Sequence, residues 1–103
     1  MKDQYQETTK VFGALSDERR VRILELLKGG EECACLLLEQ LDMAQSSLSY
    51  HMKILCESGL VDSRQEGKWT YYKISKSGSR RALRMLEDLT KTEKTGTISR
   101  CCN

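Results

Sequence analysis

Apolar residues recur at helical spacing along most of the chain and change to a strand-like pattern in one place. Tyr5, Phe12 and Leu15 mark a first helix over about residues 4–14. Ser16 is a plausible N-cap for a second helix, with Asp17 and Glu18 in its first turn, where the positive end of the helix dipole favours carboxylates. Val21, Leu24 and Leu27 form its stripe, widened by Ile23 and Leu26, and Gly29-Gly30 stops it. A short third helix is predicted from about Cys35 to Leu41, then a tight turn at Asp42-Met43-Ala44. A fourth helix runs from about Gln45 to Glu57, with Leu48, Met52 and Leu55 on its inner face and Ser58-Gly59 at its end. The period then shortens. Leu60 to Gln65 reads as a strand, Glu66-Gly67-Lys68 as a turn and Trp69 to Ile74 as the return strand, because Gly67 supplies the positive φ such turns need and Trp69, Thr70, Tyr71 and Tyr72 favour strands. Ser77 can cap a fifth helix from about Gly78 to Thr90, with Leu83, Leu86 and Leu89 as its seam.

A helix pair joined by a tight turn and followed by a hairpin that carries Arg64 and Lys68 predicts a winged helix-turn-helix, mainly α with one β-hairpin. In such folds the second helix of the pair enters the major groove. Here that helix presents Gln45, Ser46, Ser47, Ser49, Tyr50 and Lys53 away from its apolar face, side chains suited to base edges and phosphates. With Lys53, Arg64 and Lys68 assigned to phosphates, these eight form the expected DNA surface. The first and fifth helices keep seams (Tyr5, Phe12; Leu83, Leu86) that five short helices and one hairpin cannot cover within one chain, so a dimer is expected.

Composition adds bounds rather than identity. A chain of 103 residues, 39% hydrophobic and without proline, has room for one modest core. Residues 1–90 are expected to form one DNA-binding and dimerisation domain. Lys91 to Asn103 is polar and aperiodic, the composition of a flexible tail. The net charge of +2 is too small to argue for nucleic acid on its own. No apolar run approaches the roughly 20 residues that span a bilayer, and no signal-peptide stretch opens the chain, so a cytoplasmic protein with no membrane partner is expected.

The cysteines do change the picture. Five is an odd count, and four of them fall in pairs, Cys33 with Cys35 just ahead of the helix-turn-helix and Cys101 with Cys102 at the end. Clustered thiols in a reducing compartment point to metal or redox chemistry. Cys56, one turn after Met52, reads as a core thiol. His51, the single histidine, lies in the fourth helix and reads as a packing or DNA-facing residue. Without a histidine or acid-base partner beside the thiols, and without a phosphate-cradling loop, an enzyme is not expected.

Three segments together resemble the ArsR/SmtB family of bacterial metalloregulatory repressors, over nearly the whole stretch from Thr9 to Leu89: Ala14 to Leu24, Gln45 to Leu55, and Glu66 to Ile74. The resemblance implies a homodimer, joined through its first and last helices, that occupies operator DNA (an inverted repeat) and leaves it on binding an effector. A zinc site of the His-and-carboxylate kind on the last helix is not expected, since no histidine lies there. Glu32-Cys33-Ala34-Cys35 is similar to the motif of the arsenic-responsive branch, except that Leu38 stands where that branch has a third cysteine; Asp42 and Ala44 also depart from the family's usual glycine and serine. Trivalent arsenic or antimony is the implied effector. Such soft ions choose thiolates, and the third would come from Cys101 or Cys102, because about 11 residues of extended tail reach up to roughly 35 Å. Residues two apart on a helix diverge by about 200°, so Cys33 and Cys35 can share an ion only if the helix starts late. A redox- or persulfide-sensing repressor of the same fold, or a cadmium or lead sensor, stands as the alternative.

Overall fold

The computed structural model describes residues 2–93. Its elements are α1 (Lys2–Ala14), α2 (Glu18–Leu26) running into a 3-10 turn (Leu27–Gly29), β1 (Glu32–Cys33), α3 (Ala34–Gln40), α4 (Gln45–Glu57), β2 (Val61–Glu66), β3 (Trp69–Ile74) and α5 (Lys76–Thr90). The architecture is the expected one: mostly helical, with a helix-turn-helix (α3, α4) followed by an antiparallel hairpin. Among the described residues no helix is long and apolar enough to cross a membrane.

The caps differ from the sequence expectation by one or two residues. Asp17, not Ser16, caps α2: its backbone is extended and its carboxylate accepts from the Arg19 N–H. The Ser16 hydroxyl instead donates back to the Phe12 carbonyl at the end of α1. Ser75, not Ser77, caps α5, accepting from the Gly78 N–H at 3.0 Å. A carboxylate or hydroxyl caps only from extended backbone, and Asp17 and Ser75 are the residues that adopt it.

The helices close over a core of Val11 and Ala14 from α1, Ile23 and Leu27 from the second segment, Leu37 and Leu41 around α3, Leu48, Met52 and Leu55 from α4, and Leu60 and Val61 at the start of the hairpin. Val21, expected in the α2 stripe, is 44% exposed. Arg20 takes the inward position ahead of Ile23, because its guanidinium has partners inside.

The sheet has three strands rather than two, in the order β1-β3-β2. Val61 to Glu66 pairs antiparallel with Ile74 to Trp69, and Gly67, at φ +65°, makes the connecting turn. β1 was not anticipated. It adds Glu32 opposite Tyr72 and Cys33 opposite Tyr71, so the segment holding the first thiol is part of the wing's own sheet.

Candidate functional site

The residues expected to read DNA lie on the outer face of α4 and on the wing. On α4, Gln45, Ser46, Ser49, Tyr50 and Lys53 are exposed and Ser47 half-buried, opposite the buried Leu48, Met52 and Leu55. Ala44 contributes no side-chain cap, so the first backbone N–H groups of α4 stay open to an acceptor such as a phosphate. Lys68 is exposed in the wing turn. Arg64 is exposed as well, but its guanidinium is taken: Nε and Nη2 donate to the two carboxylate oxygens of Glu31 and Nη1 donates to Glu66, all at 2.8 Å.

His51 faces inward and is 4% exposed. Its Nδ1 lies 3.0 Å from Arg20 Nη1. A guanidinium can only donate, so Nδ1 is the acceptor and the imidazole is neutral, carrying its proton on Nε2. Burial, with Arg20 and Arg19 nearby, pushes the His51 pKa below its ordinary value of 6.5, against the pull of Asp17. The same guanidinium donates from Nε to the Ala14 carbonyl at 2.8 Å and from Nη2 to the Gly13 carbonyl at 3.4 Å. A buried cation thus closes the C-terminal end of α1, where the helix dipole is negative, and fastens it to α4. Nothing in the polarity pattern singled out Arg20 from Arg19 and Arg22; only its spacing, three residues before Ile23, places it on the inner face.

The helix starts late enough for the two front thiols to meet. Cys33 is the N-cap of α3, with extended backbone, and its sulfur accepts from the Leu36 N–H at 3.3 Å. Cys35 sits in the first turn. Their Cα atoms are 5.3 Å apart and their sulfurs are joined in a disulfide. The 200° divergence of a regular helix therefore does not apply to this pair. Among the described residues no group of three possible metal ligands gathers; Cys101 and Cys102 lie outside the described residues. Cys56 packs against the core from the partly buried edge, and burial raises its pKa, as expected of a packing thiol.

The sequence profile of bacterial regulatory proteins of the arsR family matches residues 17–63, from the α2 cap to the first wing strand. An uncharacterised HTH-type transcriptional regulator of Methanocaldococcus jannaschii is 31% identical over 84% of the chain and 99% of its own length. An arsenical resistance operon repressor of Staphylococcus aureus is 42% identical over 69% of the chain and 68% of its own length. The chain belongs to the arsR family. An ArsR-like transcriptional regulator from a Rhodococcus species superposes with a TM-score of 0.74 at 30% identity, over 86% of the chain and 82% of that protein. This arsR-family chain is a DNA-binding transcriptional repressor, not an enzyme. The family profile covers the α3–α4 pair, reaches the first wing strand and leaves out α1 and α5. No residue of α5 is buried, although Leu83, Leu86 and Leu89 are 66%, 47% and 60% exposed and Tyr5 on α1 is 73% exposed.

Proposed function

We propose that this protein represses transcription as a homodimer on an inverted-repeat operator and is released by a thiophilic ion, trivalent arsenic or antimony, held by Cys33 and Cys35 with a third thiolate from Cys101 or Cys102. The observation that carries the reading is the convergence of the two front sulfurs at the start of α3. Once reduced, they form a dithiol in front of the helix that supports α4, and soft trivalent ions select such ligands. The arsenical resistance repressors among its relatives favour the same effector class. Gln45, Ser46, Ser47, Ser49 and Tyr50 meet base edges, with Lys53 and Lys68 on phosphates; Arg64 was expected beside them and is engaged by carboxylates instead. Residues 1–90 form the binding and dimer unit, paired through the apolar faces of α1 and α5, and residues 91–103 are the ligand-bearing tail.

Closing an ion between Cys33 and Cys35 fixes the cap and first turn of α3 in a geometry that differs from the DNA-competent one. The ion shifts the equilibrium by its differential affinity for the two states. About 3 kcal/mol of such coupling lowers operator affinity roughly 150-fold. The test is a titration of reduced protein with arsenite, antimonite and cadmium while its binding to a duplex from the region upstream of its own gene is followed. Cys33→Ser and Cys35→Ser should bind the duplex and no longer respond, and Cys56→Ser should respond normally. If the first two respond normally while truncation after Arg100 abolishes the response, the tail pair alone is the sensor and the α3 site is wrong.

The disulfide itself favours a second reading. A hydroperoxide can take two electrons and two protons from the Cys33 and Cys35 thiols, leaving as an alcohol and water while the S–S bond forms. A response to peroxide that a thiol reductant reverses, with none to arsenite under reducing conditions, selects this reading.

A further inference from the structure

The thiol pair and the wing meet in one row of the sheet. Cys33 is opposite Tyr71, and Tyr71 is opposite Arg64. Residues directly opposite each other in antiparallel strands project from the same face, so the three side chains line up across β1, β3 and β2. The Arg64 guanidinium lies over the Tyr71 ring, 4.6 Å from its centroid. From there it reaches back across the sheet to Glu31, two residues before Cys33, in a two-pronged ion pair. Its remaining terminal nitrogen holds Glu66 at the wing turn.

This arrangement suits coupling better than phosphate binding. Nε, Nη1 and Nη2 of Arg64 each already donate to a carboxylate, so a phosphate would have to compete with two carboxylates for them. The bidentate fork and the stacked ring fix the side chain's direction. The far ends of the cluster are the thiol segment and the wing turn.

We infer that Glu31 is a positioning residue that latches the thiol segment to the wing through Arg64, so that a change at Cys33–Cys35 moves the wing directly and not only through α3. The inference rests on the reading of Cys33 and Cys35 as the sensing site. It predicts that cutting the latch leaves the thiol pair able to bind or oxidise while the wing stops responding.

Trp69 is the only tryptophan. It sits 52% exposed on the wing opposite Glu66 and reports the wing's position. The experiment compares wild type with Glu31→Ala and Arg64→Lys in the full chain, all reduced. Each is titrated with arsenite, with metal-to-protein stoichiometry, Trp69 emission and affinity for the upstream duplex followed together; each is then oxidised and reduced in a second arm. The expected result is unchanged arsenite stoichiometry in both variants and a Trp69 response at most a third of wild type. The ratio of free to loaded operator affinity should fall about three- to five-fold, the scale of an exposed ion pair. Combining both substitutions should lose no more than either alone, because they cut the same link. If both variants keep wild-type Trp69 and operator responses, the latch is refuted. If arsenite fails to bind reduced wild type, the proposed effector is wrong and the oxidation arm alone judges the latch. A wild-type Trp69 signal unmoved by either treatment also refutes it.

Discussion

Replacing Arg20 by methionine should cost about 3 kcal/mol of stability. Methionine keeps most of the length and apolar volume, so the change removes donors without opening a large cavity. The structure gives Arg20 two strong hydrogen bonds, to the Ala14 carbonyl at 2.8 Å and to His51 Nδ1 at 3.0 Å. The third, to Gly13 at 3.4 Å, is long enough to contribute little. Charged donors in buried hydrogen bonds are worth about 1.5–3 kcal/mol each, which includes the penalty for leaving His51 Nδ1 without a partner. Two of them give about 4 kcal/mol, and the better burial of a thioether returns roughly 1 kcal/mol. With a urea slope of about 1.5 kcal/mol/M, the midpoint should fall by about 2 M. The assay is urea unfolding followed by far-UV circular dichroism at a single protomer concentration, since subunit association would otherwise shift the midpoint. Arg19→Met is the control: Arg19 is exposed and has no side-chain partner among the described residues, and should change stability by no more than about 0.5 kcal/mol. Equal losses in the two variants, or a loss below about 1 kcal/mol in Arg20→Met, would refute the assignment of Arg20 as the fastening between α1 and α4.

The His51 imidazole is held neutral, with its folded pKa below the ordinary 6.5; the unfolded chain therefore takes the proton first as pH falls. Stability should be full above about pH 6.5 and decline below it, and His51→Gln should flatten that acid limb, as urea midpoints at pH 7.5 and 5.5 will show. A Cβ at Gly78 would sit 1.8 Å from the Gly59 carbonyl oxygen, whereas one at Gly13 meets nothing within 4 Å. Gly78→Ala should accordingly lose more than about 2 kcal/mol by prising α5 from the end of α4, while Gly13→Ala gains up to about 1 kcal/mol; thermal melts of both decide it. Lys68→Ala should weaken binding to every duplex and reduce the salt slope by about one, and an unchanged slope removes Lys68 from the interface. Leu83→Glu puts a charge on the seam of α5 and should yield monomer at micromolar concentration by sedimentation, against a dimer for wild type.

Periodicity made the long elements legible. α4 has an apolar residue on its inner face at every turn and ends at a glycine, so its bounds came out residue for residue. The wing was equally plain, because aromatic and β-branched residues flank a glycine that turns at φ +65°. β1 was invisible for the opposite reason. Two residues, Glu32 and Cys33, have no period, and what makes them a strand is the open edge of β3 beside them. Arg20 and Arg64 illustrate the same limit. Polarity marks both as surface cations, yet one is buried by acceptors from α1 and α4 and the other is claimed by Glu31, 33 residues away. Partners distant in sequence decided both.

The late start of α3 links these observations. Had the helix begun two residues earlier, Cys33 and Cys35 would have pointed apart, and no single ion or bond could have joined them. Ending β1 at Cys33 and starting α3 at Ala34 puts one sulfur on the last residue of a wing strand and the other in the first turn of the helix that carries Leu37 into the core against α4. A bond or ion between them therefore joins the end of a strand paired with the wing to the first turn of a helix that shares the core with α4. A ligand farther along α3 would meet the core instead, where Leu37, Leu48 and Leu55 are at most 3% exposed and close-packed. On the proposed reading, a ligand at the strand-helix junction acts where Cys33 is half-buried and Cys35 exposed, and a displacement there bears on β1 and α3 together.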